Sequence, residues 1–123
     1  MDILKILEEI VHAADDRKAV DISVISVKEL TVLSDYFVIC TGTSTTHVKS
    51  IADSIEKKLK EKLEIMPHHV EGYESANWIL LDYGGILVHV FLNEARQFYL
   101  LERLWSDAPR IDIKEIIGEK AGD

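Results

Sequence analysis

The chain has 123 residues, of which 47% are hydrophobic and 29% are charged, a composition that predicts one globular domain with a buried core. Its 14 Lys and Arg residues against 22 Asp and Glu residues give a net charge of -8. An extensive nucleic-acid surface is therefore not expected, since such binding depends on basic side chains that displace counterions from phosphates. An acidic protein can still dock on one basic protein of a nucleic-acid machine.

The cysteine count and the start of the chain predict a cytoplasmic protein. The single cysteine, Cys40, excludes an internal disulfide and lies in the apolar run YFVIC, where it reads as a small buried residue. The acidic, amphipathic start MDILKILEEI is typical of neither a signal peptide nor an Arg-rich transit peptide. The sequence also lacks an apolar run of the roughly 20 residues that a membrane span needs, so no membrane association is expected.

The first part of the chain predicts a helix and then two strands. Its opening apolar residues recur at helical spacing with charged residues between them. The runs VDISVISV (20–27) and YFVICTG (36–42) are rich in β-branched residues, and the second is apolar almost throughout, as in a central strand. The apolar positions of the helix are Ile3, Leu4, Leu7, Ile10, Val11 and Ala14.

The second part predicts a helix, a short strand, a hairpin and a final helix. Ser44, Thr45 and Thr46 can cap a helix that runs until Pro67. HHVEG then reads as a strand, and residues 78–82 and 86–92 read as a hairpin around Tyr83-Gly84-Gly85. Asn93 would cap a helix that bears Phe98, Leu101, Leu104 and Trp105, and a loosely held tail follows.

This order of elements predicts a single α/β domain with a mixed sheet. The strand–helix–strand unit around residues 45–63 should cross over with right-handed geometry, so that its two strands run parallel. The C-terminal hairpin must be antiparallel. We assign residues 1–107 to the domain and residues 108–123 to the tail.

The turn TGTSTTH (41–47) leads from a strand into a helix N-terminus, which makes a nucleotide-binding protein the alternative hypothesis. A strand followed by Gly, Ser and a helix also opens the nucleotidyltransferase fold. That chemistry needs two carboxylates projecting from one strand face to hold metal ions. The sequence contains no Asp-x-Asp, Asp-x-Glu or Glu-x-Glu, and the hairpin offers only Asp82. We therefore expect no catalytic residues.

The histidines do not form a recognisable metal motif. His69 and Glu71 would share a strand face, but two possible ligands without a cysteine or an HExxH helix give a weak signal. His89 lies in an apolar strand, where a histidine is more often a hydrogen-bonded packing residue than a general base. Neither a metal nor another cofactor is expected.

The hairpin strand WILLD raises a choice that periodicity leaves open. Trp78, Leu80 and Asp82 project to one face of the strand, and Ile79, Leu81 and Tyr83 project to the other. If helices cover only the Ile79 side, the remaining face combines a tryptophan, a leucine and a carboxylate, which is the composition of an interface hot spot. If helices cover both faces, Trp78 is a core residue.

The chain resembles the ribosomal silencing factor family, also called the Iojap-like proteins. The resemblance spans roughly residues 3–107, and the matching stretches occur in the order of the family. Gly85 departs from the pattern, since the family usually carries an acidic residue there. The stretches are DYFVICTGTS (35–44), IAD (51–53), HVEG (69–72), WILLDYG (78–84), VHVF (88–91) and EARQFYLLERLW (94–105).

The resemblance implies a translation regulator that is not an enzyme. Such proteins bind the large ribosomal subunit through its ribosomal protein number fourteen, obstruct joining of the small subunit and lower translation when nutrients are short. It also implies a homodimer in the free state and a nucleotidyltransferase-like core without catalytic carboxylates. The residues predicted to bind the ribosomal protein are Trp78, Leu80, Asp82, Tyr83 and His89.

Overall fold

The described part of the chain comprises two helices and six strands. The structure is a computed structural model, and it describes residues 2–28, 32, 34–93 and the backbone of residues 110–111. The elements are α1 (Ile3–Asp16), β1 (Val20–Ser26), β2 (Tyr36–Gly42), α2 (Thr45–Leu63), β3 (His69–Glu71), β4 (Trp78–Asp82), β5 (Ile86–Leu92) and β6 (Arg110–Ile111).

Helix α1 forms because a capping residue precedes an apolar stripe. The carboxylate of Asp2 accepts a hydrogen bond from the backbone N–H of Leu4 at 3.0 Å, which satisfies one of the first free N–H groups of the helix. The stripe packs against α2, where the Ser54 hydroxyl donates to the Ala13 carbonyl and Lys58 pairs with Asp16 at 2.6 Å. The buried residues of α1 are Leu7, Ile10, Val11, Ala13 and Ala14.

Helix α2 begins as predicted but ends before Pro67. The Ser44 hydroxyl caps it by accepting from the N–H of His47 at 3.1 Å. At the other end, Glu64 adopts a left-handed conformation (φ 57°), and the N–H of Ile65 bonds to the Leu59 carbonyl at 3.2 Å. This C-terminal motif satisfies the last carbonyls, so the proline is not what stops the helix.

The six strands form one mixed sheet in the order β3-β4-β5-β2-β1-β6. The pair β2–β5 is parallel and the other neighbouring pairs are antiparallel, which confirms the mixed sheet and the antiparallel hairpin. It follows that β2 and β3 run parallel as predicted, although β5 and β4 lie between them. The right-handed crossover stays a prediction.

The sheet has an inner face and an outer face. Both helices pack on the inner face over the larger apolar cluster, which includes Val38, Val88, Ile79 and Leu81. The outer face carries a second, smaller cluster of buried residues, against which Trp78 and Leu87 pack. The members of this second cluster are Ile25, Val27, Phe37, Ile39 and Phe91.

Two predictions concern the end of the chain. The final helix, with Phe98, Leu101, Leu104 and Trp105, lies outside the described residues. Arg110–Ile111, within the segment predicted as a tail, forms strand β6 and pairs with β1 through Val24 and Ile25. The boundary at residue 107 stays a prediction, but these two tail residues belong to the sheet.

Candidate functional site

The β4–β5 turn orients the hairpin that carries the predicted docking residues. The carboxylate of Asp82 accepts a hydrogen bond from the N–H of Gly84 at 2.8 Å, and the N–H of Tyr83 bonds to the Ile86 carbonyl at 2.9 Å. Gly84 has a φ of 84°, a conformation that side chains disfavour. Asp82 therefore has a structural role in the turn in addition to its place on the outer face.

The departure from the family pattern at Gly85 has a local packing consequence. A Cβ atom at this position would lie 2.9 Å from Cδ1 of Ile3 and 3.7 Å from a carboxylate oxygen of Asp35. The Gly85 carbonyl accepts hydrogen bonds from the N–H groups of Asp35 and Tyr36 at 2.9 and 3.0 Å. An acidic residue at position 85 would thus displace Ile3 and approach another carboxylate.

Helices α1 and α2 pack on one face of strand β4. Ile79 and Leu81 are fully buried in the cluster beneath α1 and α2. Trp78, Leu80 and Asp82 lie on the outer face and are each half-buried. A tryptophan, a leucine and a carboxylate therefore share one partly exposed face, on which Trp78 also packs against the second cluster. The predicted final helix lies outside the described residues, so the choice between a docking face and a core position for Trp78 stays a prediction.

Trp78 is held in place by two neighbours on β5. Its indole ring centroid lies 5.0 Å from that of Phe91, its cross-strand partner. Its Nε1–H donates a hydrogen bond to Nδ1 of His89 at 3.1 Å. The indole is thus fixed by these two residues of β5, while part of it stays exposed.

His89 is a packing residue, as its place in an apolar strand predicted. It is 5% exposed, and its ring meets Phe37 edge-on at a centroid distance of 4.8 Å. Burial lowers the pKa of His89 from 6.5 to about 4, because desolvation penalises the charged imidazolium. The ring is therefore neutral at physiological pH and accepts the indole N–H.

Tyr83 lies on the opposite side of the sheet from Trp78. It is 9% exposed and belongs to the cluster beneath the helices. Burial, with a smaller contribution from the Glu56 carboxylate, raises the pKa of the Tyr83 hydroxyl well above its usual range. Of the five predicted docking residues, the structure brings Trp78, Leu80 and Asp82 to one exposed face, and it buries Tyr83 and His89.

Strand β3 extends this face by two charged residues that were not among the predicted docking residues. His69 lies opposite Asp82 and Glu71 lies opposite Leu80, so all four project to the same side. His69 and Glu71 approach each other at 3.1 Å and are both exposed. We define the outer β3–β4 surface as His69, Glu71, Trp78, Leu80 and Asp82. Strand alternation had put His69 and Glu71 on one face, but nothing local indicated that β3 pairs with β4.

In the rival site at residues 41–46, Thr43 and Ser44 make hydrogen bonds with His47. Nδ1 of His47 accepts from the N–H of Thr43 at 2.9 Å, and Nε2 of His47 lies 2.8 Å from the carbonyl oxygen of Arg17. A Cβ atom on Gly42 would lie 2.7 Å from a methyl group of Val48, so this glycine allows the turn to approach α2. These contacts are those of a helix cap.

One group of possible metal ligands occurs among the described residues, on α1. Glu8, Glu9 and His12 each place a ligand-type atom within 4.8 Å of the others. All three are half-buried, and acidic clusters on helix surfaces are common without an ion. The group shares no residue with the outer β3–β4 surface, and we assign no metal or cofactor to it.

Comparison with known proteins identifies the family of this chain. A sequence model of the family described as "Ribosomal silencing factor during starvation" matches residues 1–123. A ribosomal silencing factor from Halalkalibacterium halodurans is 39% identical over 92% of this chain and 96% of its own length. A mouse protein named for mitochondrial assembly of the ribosomal large subunit is 34% identical over 81% of this chain and 45% of its own length.

A solved structure agrees with the described fold. The crystal structure of a protein from Chromobacterium violaceum has a TM-score of 0.82 and 37% identity, and the match covers 86% of this chain and 88% of that one. Within the described residues, neither helix combines the length and the apolarity that crossing a membrane requires.

Proposed function

Because the chain belongs to the ribosomal silencing factor family, we propose that it binds the large ribosomal subunit through its ribosomal protein number fourteen. By occupying the face that meets the small subunit, it blocks subunit joining and represses translation under nutrient limitation. It acts as a binding protein and not as an enzyme, in the cytoplasm, and it forms a homodimer when free. The family relationship supports the ribosomal role, and the outer β3–β4 surface supports the mode of binding.

The composition of the outer β3–β4 surface carries the proposal. Trp78 and Leu80 supply a partly exposed apolar centre, and Glu71 and Asp82 place carboxylates beside it. Aromatic anchors with a charged rim are typical of interface hot spots. A basic ribosomal protein complements the carboxylates, and one of its Arg or Lys side chains can lie over the Trp78 ring.

The burial of the five predicted docking residues divides them by role. Trp78, Leu80 and Asp82 contact the ribosomal protein directly, because they are half-exposed on one face. Tyr83 and His89 act from inside the domain, since each is buried. In this assignment the two buried residues support the docking hairpin and do not touch the partner.

Co-sedimentation with purified large subunits tests the docking proposal. The wild-type chain should migrate with large subunits on a sucrose gradient, and Trp78→Ala should stay with the small soluble species. Leu4→Ala is a matched control, because Leu4 is an exposed apolar residue (58%) on α1, away from the sheet. Equal binding by Trp78→Ala and the wild type would place the docking surface elsewhere.

A subunit-joining assay tests the consequence of docking. Adding the protein to separated subunits should reduce the formation of whole ribosomes, whereas preformed ribosomes should stay largely intact because the joining face is already covered. Equal splitting of preformed ribosomes would point to active dissociation instead.

A turnover assay tests the non-enzymatic part of the proposal. The purified protein should neither hydrolyse nor transfer nucleotides in the presence of Mg²⁺ or Mn²⁺, since no carboxylate pair is available to hold the metal ions. Turnover that survives purification and disappears in Asp82→Asn would contradict this expectation.

A further inference from the structure

The indole N–H of Trp78 points into the protein, although the residue lies on the surface. It donates to Nδ1 of His89 at 3.1 Å, and the two residues lie on neighbouring strands, with His89 two residues from Phe91, the residue opposite Trp78. The N–H is the only polar group of a tryptophan side chain. Once it is used internally, the exposed part of the indole consists of carbon.

The bond determines the tautomer of His89. Since Nδ1 accepts the indole proton, the neutral ring carries its own proton on Nε2. Nε2 is buried and has no hydrogen-bond partner within the part of the chain that the structure describes. The ring lies between Phe37, at 4.8 Å, and Phe91, at 6.1 Å and nearly parallel to it.

This arrangement is unfavourable for a residue that only fills space. An unpaired buried donor destabilises a fold, and an apolar side chain would fill the same volume without that penalty. Among the described contacts, the one that uses the polarity of His89 is the bond to Trp78. The specific contribution of the imidazole is thus to the orientation of the indole.

We infer that His89 is a positioning residue for partner binding: it holds the Trp78 indole against Phe91 with the N–H turned inward. This inference rests on the proposed docking function. The partner then meets a preoriented indole that presents carbon and no N–H, diagonally across from Glu71 on β3. The group that fits is a cationic side chain at the exposed part of the indole, since an aromatic ring attracts a cation and the Glu71 carboxylate reinforces it.

Two variants of His89 separate positioning from packing. His89→Asn keeps an acceptor, because the Asn carbonyl oxygen can occupy the place of Nδ1, whereas His89→Leu removes it. Large-subunit affinity should stay within about threefold of the wild type in His89→Asn and fall about tenfold in His89→Leu, the effect of losing one preorganising hydrogen bond. Equal affinity of the two variants would overturn the inference.

A double-mutant cycle provides a readout that a packing role would not change. Trp78→Phe keeps an aromatic ring but lacks the N–H. It therefore removes the same hydrogen bond without changing His89, and it serves as the test if His89→Leu fails to fold. Adding His89→Leu to Trp78→Phe should cause less than about a twofold further loss, since the bond is already absent. A full additional tenfold loss would show that His89 acts without Trp78.

Nuclear magnetic resonance tests the bond without the ribosome. In a Trp105→Phe background the remaining indole N–H resonance should exchange slowly with solvent, and its exchange should accelerate at least tenfold in His89→Leu. The resonances of the His89 ring nitrogens should be those of the tautomer protonated at Nε2. Slow exchange in His89→Leu, or the other tautomer, would overturn the inference.

The two proposals can fail separately. If Trp78→Ala binds large subunits normally, the docking proposal fails; if only His89→Leu binds normally, the positioning inference alone fails.

Discussion

The two faces of strand β4 have the same backbone and different tasks. Leu81 points toward the helices and is fully buried, whereas Leu80, the next residue, points to the outer face and is half-buried. The inner face contributes to folding through burial, and in the proposed docking mode the part of the outer face that stays exposed meets the partner. The proposal therefore assigns Leu81 to stability and Leu80, the adjacent residue of the same type, to binding.

The outer face itself changes character from the middle of the sheet to its edge. On β2 and β5, Phe37, Ile39 and Phe91 are buried, whereas on β3 the side chains of His69 and Glu71 are exposed. Trp78 lies on β4 between these regions: it contacts Phe91 and His89 of β5, and the strand on its other side, β3, carries the exposed Glu71. A residue in this position can both anchor a partner and report on the packing beneath it.

The largest effect is expected from Leu81→Ala on the inner face. Truncating this buried residue should lower the free energy of unfolding by about 2–5 kcal/mol, because the helices cannot collapse fully into the cavity. Urea unfolding measures the loss. Leu80→Ala is the matched control and should lose about 1 kcal/mol or less while weakening large-subunit binding. Similar losses of stability in both variants would contradict the difference between the two faces.

Trp78→Ala should have the largest effect on binding. The expected loss is about 2 kcal/mol or more, roughly a thirtyfold weaker affinity, since the aromatic anchor is removed. Thermal melting of the same sample should show a cooperative transition and a smaller loss of stability than Leu81→Ala, because Trp78 is only half-buried. A large drop in melting temperature would show that Trp78 is a core residue. Asp82→Lys would then be the variant that tests the docking face.

The pH dependence of stability should report the buried His89. Its pKa is about 4 in the folded state and about 6.5 when unfolded, so the unfolded chain binds more protons between these values. Its contribution to stability is therefore fully present above pH 6.5 and is lost as the pH falls toward 4, by about 2 kcal/mol between pH 7.5 and pH 5.

Urea unfolding of the wild type and of His89→Leu at both pH values isolates this contribution, since the carboxylates titrate in both proteins. The wild type should lose more stability than the variant over this interval. Equal losses of stability in the two proteins would mean that the imidazole is in contact with solvent. The middle of the outer face would then be as exposed as its edge.

The smallest effect is expected at the charged edge. Glu71→Lys should weaken large-subunit binding about threefold, mainly through slower association, because an exposed charge steers the encounter with a basic partner. The difference should shrink at high salt, where exposed charges are screened. Glu61→Lys, on the exposed side of α2, changes the net charge equally and should bind like the wild type. Equal weakening by both would indicate a general charge effect instead of a local contact.

Local patterns were sufficient to predict most of the elements. Capping residues and apolar spacing predicted α1 and α2, and the two apolar runs around Tyr83-Gly84-Gly85 predicted β4 and β5 with their observed bounds. The end of α2 was wrong by a few residues, because Glu64 adopts a left-handed conformation that sequence rarely reveals for a residue other than glycine.

Alternation along WILLD determined that Trp78, Leu80 and Asp82 share a face, since side chains of a strand alternate whatever surrounds it. Only the tertiary structure decided which face the helices cover, because that depends on where α1 and α2 cross the sheet. It also decided that β3 lies beside β4, which brings Glu71 next to Leu80, and that Trp78 meets His89 across the hairpin. These contacts join residues whose register is set by pairing between strands, and no residue encodes that register alone.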